Sequence, residues 1–254
     1  MIRVLAVGPH PDDVEYGCGG LLAGLDRERF EPHVAVFPPV GRDGGALHGT
    51  ALRVQEAREA AAVLGAAFHE LPALAATDRS GAVEALTSHF ADLRPDVVIT
   101  VDPDDAHPWH ALVADAVREA VFIAQTPEEA GPGIPAQLLH MAAYTTVDFR
   151  PDFYVDVSRA FPTAWKALRR HVAGLAVTPA LGHQMRLVHQ TAGCRASAEL
   201  AEGFRLSHDF GQDWCAGRSL LFRLLGGPHE SPPRPGPDAD GVAAPPVEAP
   251  ARHG

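Results

Sequence analysis

The apolar positions along the chain fall into two patterns. Short unbroken runs read as buried strands: Arg3 to Gly8 (RVLAVG), His33 to Phe37 (HVAVF), Asp96 to Val101 (DVVITV) and Leu138 to Tyr144, with Phe153 to Val157 as a further strand. Between them apolar residues recur at helical spacing. The stretches run from about Gly19, from Thr50 to Leu64, from Val83 to Leu93, from Ala111 to Gln125, from Ser158 to Val172 and from Leu181 to Glu202. Thr50 reads as a helix cap and Gly65 as the residue that ends that helix. Strands alternating with amphipathic helices predict an α/β, Rossmann-like fold: a mainly parallel sheet with helices on both faces.

Composition narrows the function classes. The chain has 254 residues and 46% hydrophobic residues, enough for a sizeable core, and the pattern predicts one α/β domain over residues 1–227. From Pro228 the sequence holds eight prolines in 27 residues with few aromatics, and residues 228–254 read as a disordered tail. No apolar run approaches the roughly 18 residues of a membrane span, and the N-terminal run is too short and lacks the small-residue site of a signal peptide. The net charge of −11 disfavours nucleic acid and anionic membranes as partners. Three cysteines without CxxC spacing argue against a disulfide framework, and the expected location is the cytoplasm.

Histidine is frequent, at 14 residues, and the polar clusters that contain it lie in telling places. His10, Asp12, Asp13 and Glu15 follow the first strand. Asp102, Asp104, Asp105, His107 and His110 follow the strand DVVITV. Ligands of open parallel sheets bind beyond the carboxyl ends of the strands, so both clusters can converge on one ion. Catalytic zinc takes three protein ligands and keeps a position open, a count that two histidines and one carboxylate satisfy. Asp12 and Asp13 are adjacent and cannot point the same way from an extended backbone, so one can hold metal while the other addresses water. GCGG after this motif does not satisfy the dinucleotide fingerprint, and close helix–sheet packing is the better account of its glycines. Glu15 reads as structural and Cys18 as a small buried residue, while His171 and His189 carry no pattern.

The block HPDDVEYGCGG resembles the first motif of the PIG-L/LmbE-like zinc-dependent N-deacetylases, and HPWHALVADAVREA resembles their second. Weaker similarities follow in the same order at RVQEAREAAAVLG, FYVDVS, KALRRH and AEGFR, so the resemblance covers about residues 1–206. The branch it looks most like includes deacetylases of N-acetylglucosaminyl conjugates in bacillithiol and mycothiol synthesis and of amino-sugar antibiotics. The resemblance implies one zinc ion per chain, held by His10, Asp13 and His110. It implies that Asp12 is the general base acting on the attacking water, and that zinc and protonated His107 stabilise the tetrahedral oxyanion. Arg53 becomes a candidate sugar contact, although an ordinary salt bridge explains it equally well. The implied substrate is a small N-acetylated amino sugar, and self-association into a homo-oligomer is a further implication.

Trp109 departs from the pattern, because the family commonly carries an acidic residue there that orients the preceding histidine. Asp104 or Asp105 is a possible substitute, and the indole could instead stack on a sugar. This departure motivates the alternative of a metal-binding but catalytically silent protein. A metal-dependent hydrolase of another amide or ester is a third reading.

Overall fold

The unbroken apolar runs become the centre of a parallel sheet, as expected for strands covered on both faces. In the computed structural model, which describes residues 1–41, 49–125, 137–173 and 180–207, these are β1 (Ile2–Gly8), β2 (Phe30–Val36), β4 (Val97–Val101) and β5 (Gln137–Met141). Two edge elements complete the order. β3 (Ala67–Glu70) extends one side, and β6 (Phe153–Asp156) with β7 (Ala201–Leu206) extends the other. Among the described residues the sheet runs β3-β2-β1-β4-β5-β7-β6. All pairings from β3 to β5 are parallel, and β7 runs antiparallel to both β5 and β6.

The helices divide between the two faces. α3 (Arg79–Leu93) and α4 (Pro108–Gln125) cover one, where Leu86, Phe90, Val113 and Val117 pack on Leu5, Val7, Ala35 and Val98. On the other lie α1 (Asp13–Gly24), α2 (Thr50–Leu64), α5 (Phe161–Leu168) and α6 (Leu181–Ala196). There Tyr16, Val157, Phe161, Leu168 and Met185 form a second core cluster. No helix among the described residues is long and apolar enough to cross a membrane.

Several expected boundaries move, each for a physical reason. α1 starts at Asp13 and not near Gly19, and its path is broken at Cys18 (φ −145°). Its residues from Asp13 to Leu22 are all buried, so no polar face marks the helix in the sequence. Gly17 and Gly20 are required by close approach: a Cβ on Gly17 would stand 2.7 Å from the Ala142 carbonyl oxygen, and one on Gly20 2.7 Å from Cβ of Val157. Thr50 does not cap α2. The N-cap is Gly49 in the left-handed region (φ 87°), and the Thr50 hydroxyl donates to the Pro39 carbonyl. The helix expected over Ser158–Val172 is shorter, and the one expected to reach Glu202 stops at Ala196, where Ser197 turns left-handed (φ 55°). The released chain returns as β7. The domain limit at residue 227 and the tail 228–254 lie outside the described residues, as do residues 42–48 and 126–136.

Candidate metal centre

The strand order places the centre. β1 is followed by β2 on one side and flanked by β4 on the other, so the connections leaving β1 and β4 diverge to opposite faces. Such a switch point opens a crevice beyond the carboxyl ends of the two strands. The two histidine-rich clusters leave β1 and β4 into that crevice.

Three donor atoms meet there. His10 Nδ1 lies 3.0 Å from His110 Nε2, and Oδ2 of Asp13 lies 3.4 Å from His110 Nε2 and 3.6 Å from His10 Nδ1. Ligand bonds of about 2.0–2.1 Å at tetrahedral angles put donor atoms roughly 3.3 Å apart, so this triangle fits a zinc-sized ion. His107 stands beside it, and nitrogens of His10, His107 and His110 all lie within 4.8 Å of one another. The Asp13 triangle is the tighter donor set.

The charges agree with that use. Burial pushes the Asp13 carboxyl up, but His110 and the hydrogen bonds from His10 outweigh it and hold it low. His110 is raised: burial opposes its charge, and Asp13 and Asp105 more than compensate. Asp105 orients it. Its Oδ1 lies 3.3 Å from His110 Nδ1, which leaves Nε2 to face Asp13 and His10. The hydroxyls of Thr145 (2.6 Å) and Thr146 donate to the two oxygens of Asp105. Burial raises Asp105, yet these donors and His110 hold it well below the usual carboxylate range. A carboxylate behind a ligand histidine sets its tautomer and direction. Neither Thr145 nor Thr146 carries a sequence signal, because both enter from the loop after β5.

Asp12 points elsewhere, as its neighbour's role requires. Its backbone sits at φ 103°, a strained region for a residue with a side chain, and its Oδ2 lies 3.8 Å from Arg53 Nη2. Burial and the adjacent Asp13 charge push its carboxyl up to about 7, against the pull of His171 and Arg53. That is the range in which a general base works best near neutrality. Arg53 thus stands at the site and also forms the salt bridge.

His107 and Trp109 differ from expectation. Among the described residues no carboxylate pairs with the His107 ring. Asp104 is exposed and pairs with Arg205 (3.4 Å), and Asp105 faces His110. Instead the Trp109 backbone N–H donates to His107 Nδ1 at 3.2 Å, which assigns the neutral ring its proton on Nε2. Burial and the neighbouring His10 and His110 lower the pKa of His107, against the pull of Asp13 and Asp105. The Trp109 indole is 6% exposed, sits edge-on to Phe37 in the core and donates to the Pro9 carbonyl at 3.0 Å. Stacking on a sugar is replaced by a clamp that joins the start of α4 to the exit of β1.

With this geometry in place, the comparisons define the class. Residues 5–121 match the family model PIG-L, described as GlcNAc-PI de-N-acetylase. Among curated proteins, 2′-N-acetylparomamine deacetylase of Streptomyces fradiae is 31% identical over 164 residues, 54% of this chain and 56% of that protein. The match thus spans little more than half the length of that relative. Among solved structures, N,N′-diacetylchitobiose deacetylase from Pyrococcus horikoshii aligns with TM-score 0.68 and 21% identity, over 81% of this chain and 83% of that one. The 4-carboxy-2-hydroxymuconate hydratase of Pseudomonas putida aligns with TM-score 0.66 and 21% identity, over 81% and 96%. At such identity these two structures establish the fold alone.

Proposed function

We propose that the chain is a zinc-dependent hydrolase that removes the N-acetyl group from an amino-sugar conjugate. The observation that carries this reading is the triangle of His10, Asp13 and His110, with a separate carboxylate, Asp12, poised near neutrality beside it. Zinc held by these three residues would supply Lewis-acid activation of water and of the acetyl carbonyl. Asp12 takes a proton from the attacking water, whose oxygen adds to the acetyl carbon. His107 donates its Nε2–H to the oxygen that gains charge as the tetrahedral species forms. The proton on Asp12 then passes to the departing nitrogen, and acetate and a free amine separate. Arg53, paired with Asp12, would contact the sugar. The S. fradiae relative, named for an acetylated aminoglycoside, supports a small amino sugar as the substrate class.

The test is acetate release from a panel of N-acetylated amino sugars by zinc-loaded protein, with metal per chain measured in parallel. One zinc per chain and turnover of a GlcNAc-type substrate are expected. That no carboxylate among the described residues pairs with the His107 ring favours a second reading, a metal-binding protein without turnover. One zinc per chain with no acetate from any substrate would establish that reading instead.

A further inference from the structure

Behind Asp12 lies a buried ionic pair to which the chemistry above gives no task. His171, in the turn after α5, is 1% exposed, and its Nε2 lies 3.2 Å from Oε2 of Glu15, which is also 1% exposed. A glutamate three residues after an N-cap ordinarily turns back to the cap's own N–H. Glu15 holds that position after Asp12, yet its Oε1 has no hydrogen-bond partner among the described residues, and its Oε2 meets His171 Nε2 as an ion pair. Burying two charged groups is costly, and removing one partner would strand the other, so the pair persists because the surroundings hold it in place.

The surroundings are those of Asp12. α2 carries Arg53 and Glu56 three residues apart, hence on one helix face. Arg53 reaches Asp12, and both carboxylate oxygens of Glu56 accept from the Ala173 N–H (3.1 and 3.2 Å), two residues beyond His171. Arg53 thus reaches Asp12 itself, while His171 reaches the same turn of α1 through Glu15. Glu15, Asp12 and Glu56 all favour the charged imidazolium of His171, and together they outweigh its burial. His171 in turn acts on Asp12 in the opposite sense to Asp13.

We propose that His171 is the positioning residue of Asp12: anchored on Glu15 and on the Glu56-bound turn, it holds the strained first turn of α1 that carries the base. The proposal rests on the reading of Asp12 as general base. It extends that reading from the crevice to the turn after α5.

His171→Gln and Glu15→Gln, made singly and together in the full chain, test it. Each single variant is expected to keep one metal per chain and to leave KM within about twofold, while kcat falls roughly tenfold or more. The double variant is expected to be no slower than either single one, because the pair acts as a unit. A second readout needs no substrate. In the cobalt-loaded protein, the pH midpoint of the visible absorption change is expected to move by about half a unit or more in His171→Gln. Unchanged kcat and an unchanged cobalt midpoint in both single variants overturn the proposal, as does a loss of activity that follows loss of metal or of folded protein. If the wild-type chain releases no acetate, the deacetylase reading fails by itself, and the cobalt midpoint still decides the role of His171.

Discussion

The carboxylate of Asp105 lies 3.3 Å from Nδ1 of His110, and this contact turns the opposite ring nitrogen toward His10 and Asp13. Two threonine hydroxyls fix the carboxylate in turn. The direction of the His110 ring is therefore set from behind, by Asp105 and the two threonines.

Replacing Asp105 by Ala should lower metal affinity by roughly 10- to 100-fold. Competition with a chromophoric chelator measures this. The double change Thr145→Val and Thr146→Val should have the same direction and a smaller size, because the carboxylate remains. An affinity equal to that of the wild type in Asp105→Ala would sink the orienting role.

Asp12 separates two properties. Asp12→Ala should lower kcat by on the order of 100-fold or more while metal content stays at one per chain. Asp12→Gly should be as inactive, yet more stable than Asp12→Ala by about 1 kcal/mol, because glycine accepts φ 103° without strain. Parallel assays of turnover, metal and urea midpoint check both parts. Turnover retained in either variant would remove Asp12 from the chemistry.

Trp109→Asp restores the residue type that the family pattern favours, and it should fail. A carboxylate in place of a core indole forfeits packing against Phe37 and is buried without a partner, at a cost of about 3 kcal/mol or more. Trp109→Phe loses chiefly the bond to Pro9, about 1 kcal/mol. Thermal denaturation orders the three proteins. A Trp109→Asp variant as stable as the wild type and faster would show that the clamp is dispensable.

A second histidine group gives a pH signature far from the centre. His33 and His69, two residues apart in register across β2 and β3, stand 3.0 Å apart (Nδ1 to Nε2), and the ring of His89 on α3 lies 4.7 Å from that of His69. Burial, with His89 and His33, pushes His69 down to about 4. Burial also lowers His33 and His89, although Glu31 and Asp92 oppose it. The unfolded chain takes up these protons near pH 6.5 and the folded one only below that. Stability from this group is thus complete above about pH 6.5 and is lost as pH falls toward about 4. Urea midpoints from pH 7.5 to 4.5 should decline less steeply in His69→Gln than in the wild type. Parallel declines would show that His69 does not contribute.

Much of this was legible in the chain itself. Four central strands announced themselves because a strand buried on both faces is a short continuous apolar run, and the polar clusters at two of their ends located the centre. The motifs around His10 and His110 are local in sequence and survive as local geometry. Less legible were β3 and β7. β3 is a four-residue, partly exposed edge strand, and β7 follows a helix with no glycine or proline to separate them. The start of α1 was hidden because burial on all sides erases amphipathic periodicity.

By itself, the sequence determined the class of fold, the parallel core, and the residues that can bind an ion, since each depends on patterns a few residues long. Only the tertiary structure decided what those residues face. It gave Asp105 to His110, put the Trp109 N–H on His107, sent the Trp109 indole into the core and paired His171 with Glu15. The physical reason is that hydrogen bonds and ion pairs act over about 3–4 Å, and these partners belong to different elements that meet only when helices close on both faces of the sheet.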